Sequence, residues 1–130
     1  MENNIITATS IEFFKNLAQY DYNNQYYDFH NDYSCEKLSY SDGILLILFK
    51  SLIDGIFLSL KFTDVKIIVL DFFYVKDVEN LTLDNLYRGK FEFNGELVEV
   101  SEDGKGYFYL EFYEGQKLEF WTYGVNIEQK

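Results

Sequence analysis

Five Asp-Gly, Asn-Gly or Glu-Gly dipeptides punctuate this chain: Asp42-Gly43, Asp54-Gly55, Asn94-Gly95, Asp103-Gly104 and Glu114-Gly115. Asn-Gly and Asp-Gly favour the left-handed backbone conformation that tight hairpin turns require. Each dipeptide lies between apolar or alternating runs, so the chain is directed towards an antiparallel, hairpin-rich fold. The continuous run Ile44-Leu45-Leu46-Ile47-Leu48-Phe49 reads as a central strand buried on both faces. Ile56, Leu58, Leu60 and Phe62 alternate with Phe57, Ser59 and Lys61, the period of a half-exposed strand. Further strands are expected over 65–75, 87–93, 96–101, 107–113 and 117–123, with a short last one over 125–128. Residues 77–86 fit a short helix or a loop equally well.

The N-terminal part follows a different pattern. Thr9-Ser10-Ile11-Glu12 has the form of a capping box, and Ile11, Phe14, Leu17 and Ala18 follow at helical spacing. One amphipathic helix over 10–20 is expected. From Tyr20 to Tyr33 no period is visible, which implies a long loop or an extended segment. The expected architecture is mainly β (α+β): a single antiparallel meander sheet of about eight strands, curled or two-layered, with one N-terminal helix. Leu46 and Leu48 are expected in its core with Leu58, Leu60, Phe108, Leu110 and Phe120.

The 130 residues suit one domain, 1–130, long enough to bury a core without disulfides or metal. No apolar run reaches the roughly 18 residues of a spanning helix. Met1-Glu2-Asn3-Asn4 lacks the basic start of a secretory signal, and a single cysteine suits a reducing compartment. A cytoplasmic location is the expectation. The net charge of −11 is concentrated, with residues 91–119 carrying eight acids against Lys105 and Lys117. Such a chain repels nucleic acid and anionic membrane, and neither is an expected partner.

Little in the chain points to catalysis. His30 and Cys35 are the only histidine and cysteine, no glycine-rich phosphate loop is present, and no zinc spacing occurs. A lone cysteine at a strand start reads as a small core hydrophobe. Asp28, His30 and Asp32 alternate, so an extended backbone would point all three to one side, but three ligands without a fourth make an incomplete metal site. The expectation is a non-enzymatic protein with no cofactor and no bound metal.

The hairpin over 107–123 carries the most information. Keeping Phe108, Leu110 and Phe112 on the face of Leu118, Phe120 and Thr122 requires an odd loop length. A loop of Glu114-Gly115-Gln116 meets this condition. It sets Tyr109 opposite Trp121, Tyr107 opposite Tyr123, and Glu111 opposite Glu119, two carboxylates that would repel. Tyr107, Tyr109, Glu111, Glu119, Trp121 and Tyr123 are therefore the candidate partner-binding residues. Tyrosine and tryptophan supply contact area at small entropy cost, and carboxylates receive lysine or arginine.

His30-Asn31-Asp32, the strand to Tyr40, the Asp-Gly turn, Ile44–Phe49 and Ile56–Val65 together resemble one type of small bacterial immunity protein. Asn31 separates the His and Asp that are adjacent in that pattern, and the resemblance spans residues 30–75 only. It implies an acidic, non-catalytic, β-rich cytoplasmic protein that neutralises a toxin exchanged between competing cells. Two readings follow. One is an acidic module that binds a basic protein partner, as an immunity protein masking a toxin surface would. The alternative is a β-domain that binds a small carbohydrate-like ligand on the same aromatic face.

Overall fold

The turns form where the glycines place them. Asp42 and Gly43 have φ of 50° and 77°, Asn94 and Gly95 52° and 79°, and Asp103 and Gly104 52° and 78°. These are successive left-handed residues, as a two-residue hairpin turn demands. The structure, a computed structural model, describes residues 6–7, 19–22, 25–71 and 82–129. Among them lie fourteen strands and no helix: β1 (Ile6–Thr7), β2 (Gln19–Tyr22), β3 (Gln25–Asp28), β4 (Tyr33–Ser41), β5 (Ile44–Ser51), β6 (Phe57–Thr63), β7 (Lys66–Asp71), β8 (Leu83–Arg88), β9 (Lys90–Phe93), β10 (Glu96–Glu99), β11 (Ser101–Glu102), β12 (Lys105–Phe112), β13 (Lys117–Thr122) and β14 (Gly124–Gln129). Consequently no helix among the described residues is long and apolar enough to cross a membrane. The protein is mainly β, and all strand pairs among the described residues are antiparallel.

The single meander gives way to several sheets. The first runs β1-β14-β6-β5-β4. The second runs β11-β12-β13-β7, with β8 also pairing β12, and β9–β10 and β2–β3 form two-stranded ribbons. The reason is a bent ribbon. β6 pairs β14 in the first sheet, and their continuations β7 and β13 pair in the second. The chain turns this corner twice, at 63–65 and 122–124. There the Thr122 hydroxyl donates to the Thr63 carbonyl at 2.7 Å, and the Tyr123 amide donates to the same oxygen at 3.0 Å.

The two sheets close on one cluster of buried side chains. Leu45, Ile47, Phe49, Leu60, Phe62 and Val125 enter it from the first sheet, and Leu86, Phe108, Leu110, Leu118 and Phe120 from the second. At its centre Phe62 meets Phe120 edge-on at 5.1 Å, and Phe120 stacks on Phe108 at 5.9 Å. Leu58, Leu60, Phe108, Leu110 and Phe120 are buried as expected.

β5 departs from the expectation. It is an interior strand, between β4 and β6, but only one of its faces is fully covered: Leu45, Ile47 and Phe49 are buried, whereas Leu46 and Leu48 are half-buried on the outward face. A continuous apolar run does not by itself distinguish one covered face from two. Ile47→Ala is therefore expected to cost about 2–5 kcal/mol, and Leu48→Ala distinctly less. Paired thermal melts check this ordering.

Other expectations change at the ends of elements. Of the helix expected over 10–20, residues 10–18 lie outside the described residues, while Gln19 and Tyr20 belong to β2. The aperiodic 20–33 stretch is largely a hairpin, β2 with β3, followed by a turn. In the open segment 77–86, residues 77–81 fall outside the description and 83–86 are strand. The strands expected over 87–93 and 96–101 are each interrupted, at Gly89 and at Val100.

Candidate functional site

β12 and β13 present alternate side chains to opposite sides. Phe108, Leu110, Phe112, Leu118, Phe120 and Thr122 are buried, and Tyr107, Tyr109, Glu111, Glu119 and Trp121 are half-buried on the outer face. The division into faces thus agrees with the sequence. The register does not. Tyr107 pairs with Trp121, Tyr109 with Glu119, and Glu111 with Lys117, so the expected Glu111–Glu119 opposition is absent. The loop has three residues, but they are Tyr113-Glu114-Gly115. The Gly115 amide donates to the Phe112 carbonyl at 2.9 Å, the Phe112 amide donates to the Gln116 carbonyl at 2.9 Å, and Gly115 has φ of 106°. A three-residue hairpin loop places its left-handed residue last, which puts glycine there and moves the pairing by two.

Five of the six candidate residues therefore share one platform. Tyr107 meets Trp121 edge-on at 5.0 Å and Tyr109 at 5.4 Å. Such edge-to-face pairs fix ring orientation before any partner arrives. The Tyr107 hydroxyl donates to Glu119 Oε1 at 2.8 Å, and Lys117 Nζ lies 3.8 Å from Glu119 Oε2. Tyr123 stands apart, exposed at the corner beyond β13, with its ring 4.0 Å from where a Cβ on Gly104 would lie.

Sequence reasoning missed two neighbours of the platform. The β7–β13 pairing brings Lys66 beside Trp121, and a pocket of about 210 Å³ opens there between Lys66, Glu102, Asp103, Lys105 and Trp121. No local pattern announces a pairing between strands fifty residues apart. Gly89 is buried against the platform, and a Cβ there would sit 2.9 Å from the Tyr109 ring and 3.3 Å from the Tyr107 ring. Its signal was readable: an isolated glycine in a strand pattern marks a bulge or a close approach.

Burial, then the bond to Glu119 and that carboxylate's charge, push the Tyr107 phenol up from 10.0 to about 12. Folding favours its neutral form, so Tyr107 contributes stability that is complete below pH 10 and lost as pH rises through about 12. Ultraviolet titration of the wild type minus Tyr107→Phe should isolate one tyrosine ionising near pH 12. A difference midpoint near 10 would contradict the bond.

Asp28, His30 and Cys35 make contacts within the fold. The backbone turns at 29–32, so Asp28, His30 and Asp32 do not line one side of an extended strand. The Asp28 carboxylate accepts from the His30 and Asn31 amides at 3.2 and 3.1 Å and from Asn31 Nδ2 at 2.9 Å. His30 Nδ1 donates to the Leu83 carbonyl at 2.6 Å, tying this turn to the second sheet. Among the described residues no group of three histidine, cysteine or carboxylate side chains is arranged to hold a metal. Cys35 is buried in the core, where desolvation pushes its thiol up to about 12, far from a reactive thiolate. Comparison with protein-family models, curated proteins and solved structures returns no match.

Proposed function

We propose that this chain is a non-enzymatic module that binds a basic protein partner through the outer face of the second sheet. The observation that carries the reading is the pre-set aromatic cluster Tyr107–Tyr109–Trp121, half-buried rather than covered, with its two tyrosines in the acidic stretch 91–119 and its tryptophan just beyond it. Rings already held by one another lose little entropy on binding. Glu119 is oriented by Tyr107. Around the indole Glu102 and Asp103 stand with Lys66 and Lys105, and Lys117 with Glu119. The attraction for a basic partner therefore comes from the chain's overall excess of acid, net −11. Lysine or arginine groups of a partner complement that surface.

The finer reading is an immunity protein that masks a basic toxin surface in the cytoplasm. It rests on the resemblance over residues 30–75 and on the charge. The absence of catalysis in this proposal is supported by the occupied Asp28 and His30 and by the buried Cys35. A small ligand on this aromatic face is less well supported, because the pocket beside Trp121, about 210 Å³, is smaller than the roughly 300–1,000 Å³ of ordinary ligand sites.

The experiment is recovery of the partner from the native host, followed by association kinetics at increasing ionic strength. Steering by exposed charge is screened over about 8 Å in physiological salt, so the association rate should fall at least several-fold between low and physiological salt. A rate independent of salt would contradict an electrostatically guided basic partner.

A further inference from the structure

We infer that residues 89–100 are a binding arm whose tip, Phe93 and Leu97, enters an apolar cleft on the basic partner. This rests on the function proposed above and adds a second contact to it. β8 and β11 follow one another along the same side of β12, and the chain leaves that edge at Gly89 and rejoins it at Val100. The exit is pinched shut: the Gly89 amide donates to the Tyr107 carbonyl at 2.7 Å, and the Val100 amide donates to the Gly89 carbonyl at 2.9 Å. Between them β9 and β10 pair only with each other, across Asn94-Gly95.

Phe93 pairs with Glu96 and Leu97 with Glu92, so the two apolar residues stand on opposite faces of the ribbon. Phe93 is 60% exposed and Leu97 73%. Neither face of the tip is laid against the protein's own core. A two-stranded ribbon in water is marginal by itself, and this one places large apolar groups where they contribute little to folding. An occupant that embraces both faces accounts for them.

Charge selects that occupant. Glu92 and Glu96 flank the tip, and residues 90–99 hold three acids against Lys90. A second copy of this chain, at net −11, would be repelled, whereas a basic protein with an apolar cleft is attracted and then desolvates Phe93 and Leu97. The arm and the platform are contiguous, since Gly89 at the arm's base touches the Tyr107 and Tyr109 rings. One partner can therefore span both.

The test uses the full chain with photoreactive benzoylphenylalanine at position 93, irradiated in the native host, and mass spectrometry of the adduct. The expected adduct is a basic protein cross-linked within an apolar cleft. Its affinity for the double variant Phe93→Ser, Leu97→Ser should then fall at least 20-fold, with the melting temperature unchanged because neither side chain supports the core. An adduct with a second copy, an adduct with an acidic protein, no adduct, or undiminished affinity would each overturn the inference. The two contacts separate cleanly. If Trp121→Ala weakens binding and the arm variant does not, the arm is wrong and the platform stands. The reverse result sinks the platform and keeps the arm.

Discussion

Phe120→Ala should lower stability by about 3–5 kcal/mol, the range for removing a buried phenylalanine. Domains of this size have only about 5–15 kcal/mol in total. Phe120 has no solvent exposure and meets Phe62 at 5.1 Å and Phe108 at 5.9 Å, so it joins both sheets. It also lies two residues before Thr122, whose hydroxyl fastens the corner to Thr63. A cavity there cannot be refilled by a nearby flexible side chain, because the ring's aromatic neighbours are themselves fixed in β-strands. The expected drop in melting temperature exceeds about 10 °C. A drop of only a few degrees would mean that the two sheets do not close on this ring.

The second large effect concerns binding. Trp121→Ala should weaken the complex with the basic partner by about 2 kcal/mol or more, roughly 30-fold, as loss of a central aromatic anchor does. Nearly all of it should appear as faster dissociation, since the substitution leaves the steering charges in place. Glu119→Gln should divide differently. It removes a charge and should slow association, while Tyr107 retains an oxygen to which it can donate. If both variants bind like the wild type, the outer face of the second sheet is not the interface.

How much of this was legible in the sequence depended on the range of the interaction. The hairpin turns were, because Asp-Gly and Asn-Gly act through their own φ angles. The faces of β12 and β13 were too, since parity survives any odd loop. The register was legible in principle. Gly115 must take the left-handed place at the end of the loop, and this excludes Glu114-Gly115-Gln116 and with it the opposed glutamates. The bent ribbon was not legible. Pairing of β7 with β13 and β6 with β14 is decided by which apolar faces meet, across more than forty intervening residues. Lys66 came to lie beside Trp121 by that route alone. The backbone at 28, 30 and 32 is not extended, because Asp28 uses its carboxylate on local amides, and that competition favours a turn over a strand.

Trp121 is the chain's single tryptophan, so its fluorescence reports on the platform and on nothing else in this protein. The direct measurement is acrylamide quenching of that indole, free and in complex with the basic partner, with the partner's own tryptophans replaced by phenylalanine. The account predicts that complex formation shields the indole and lowers the quenching constant several-fold. An unchanged constant in a fully formed complex would place the partner elsewhere and contradict the proposed function.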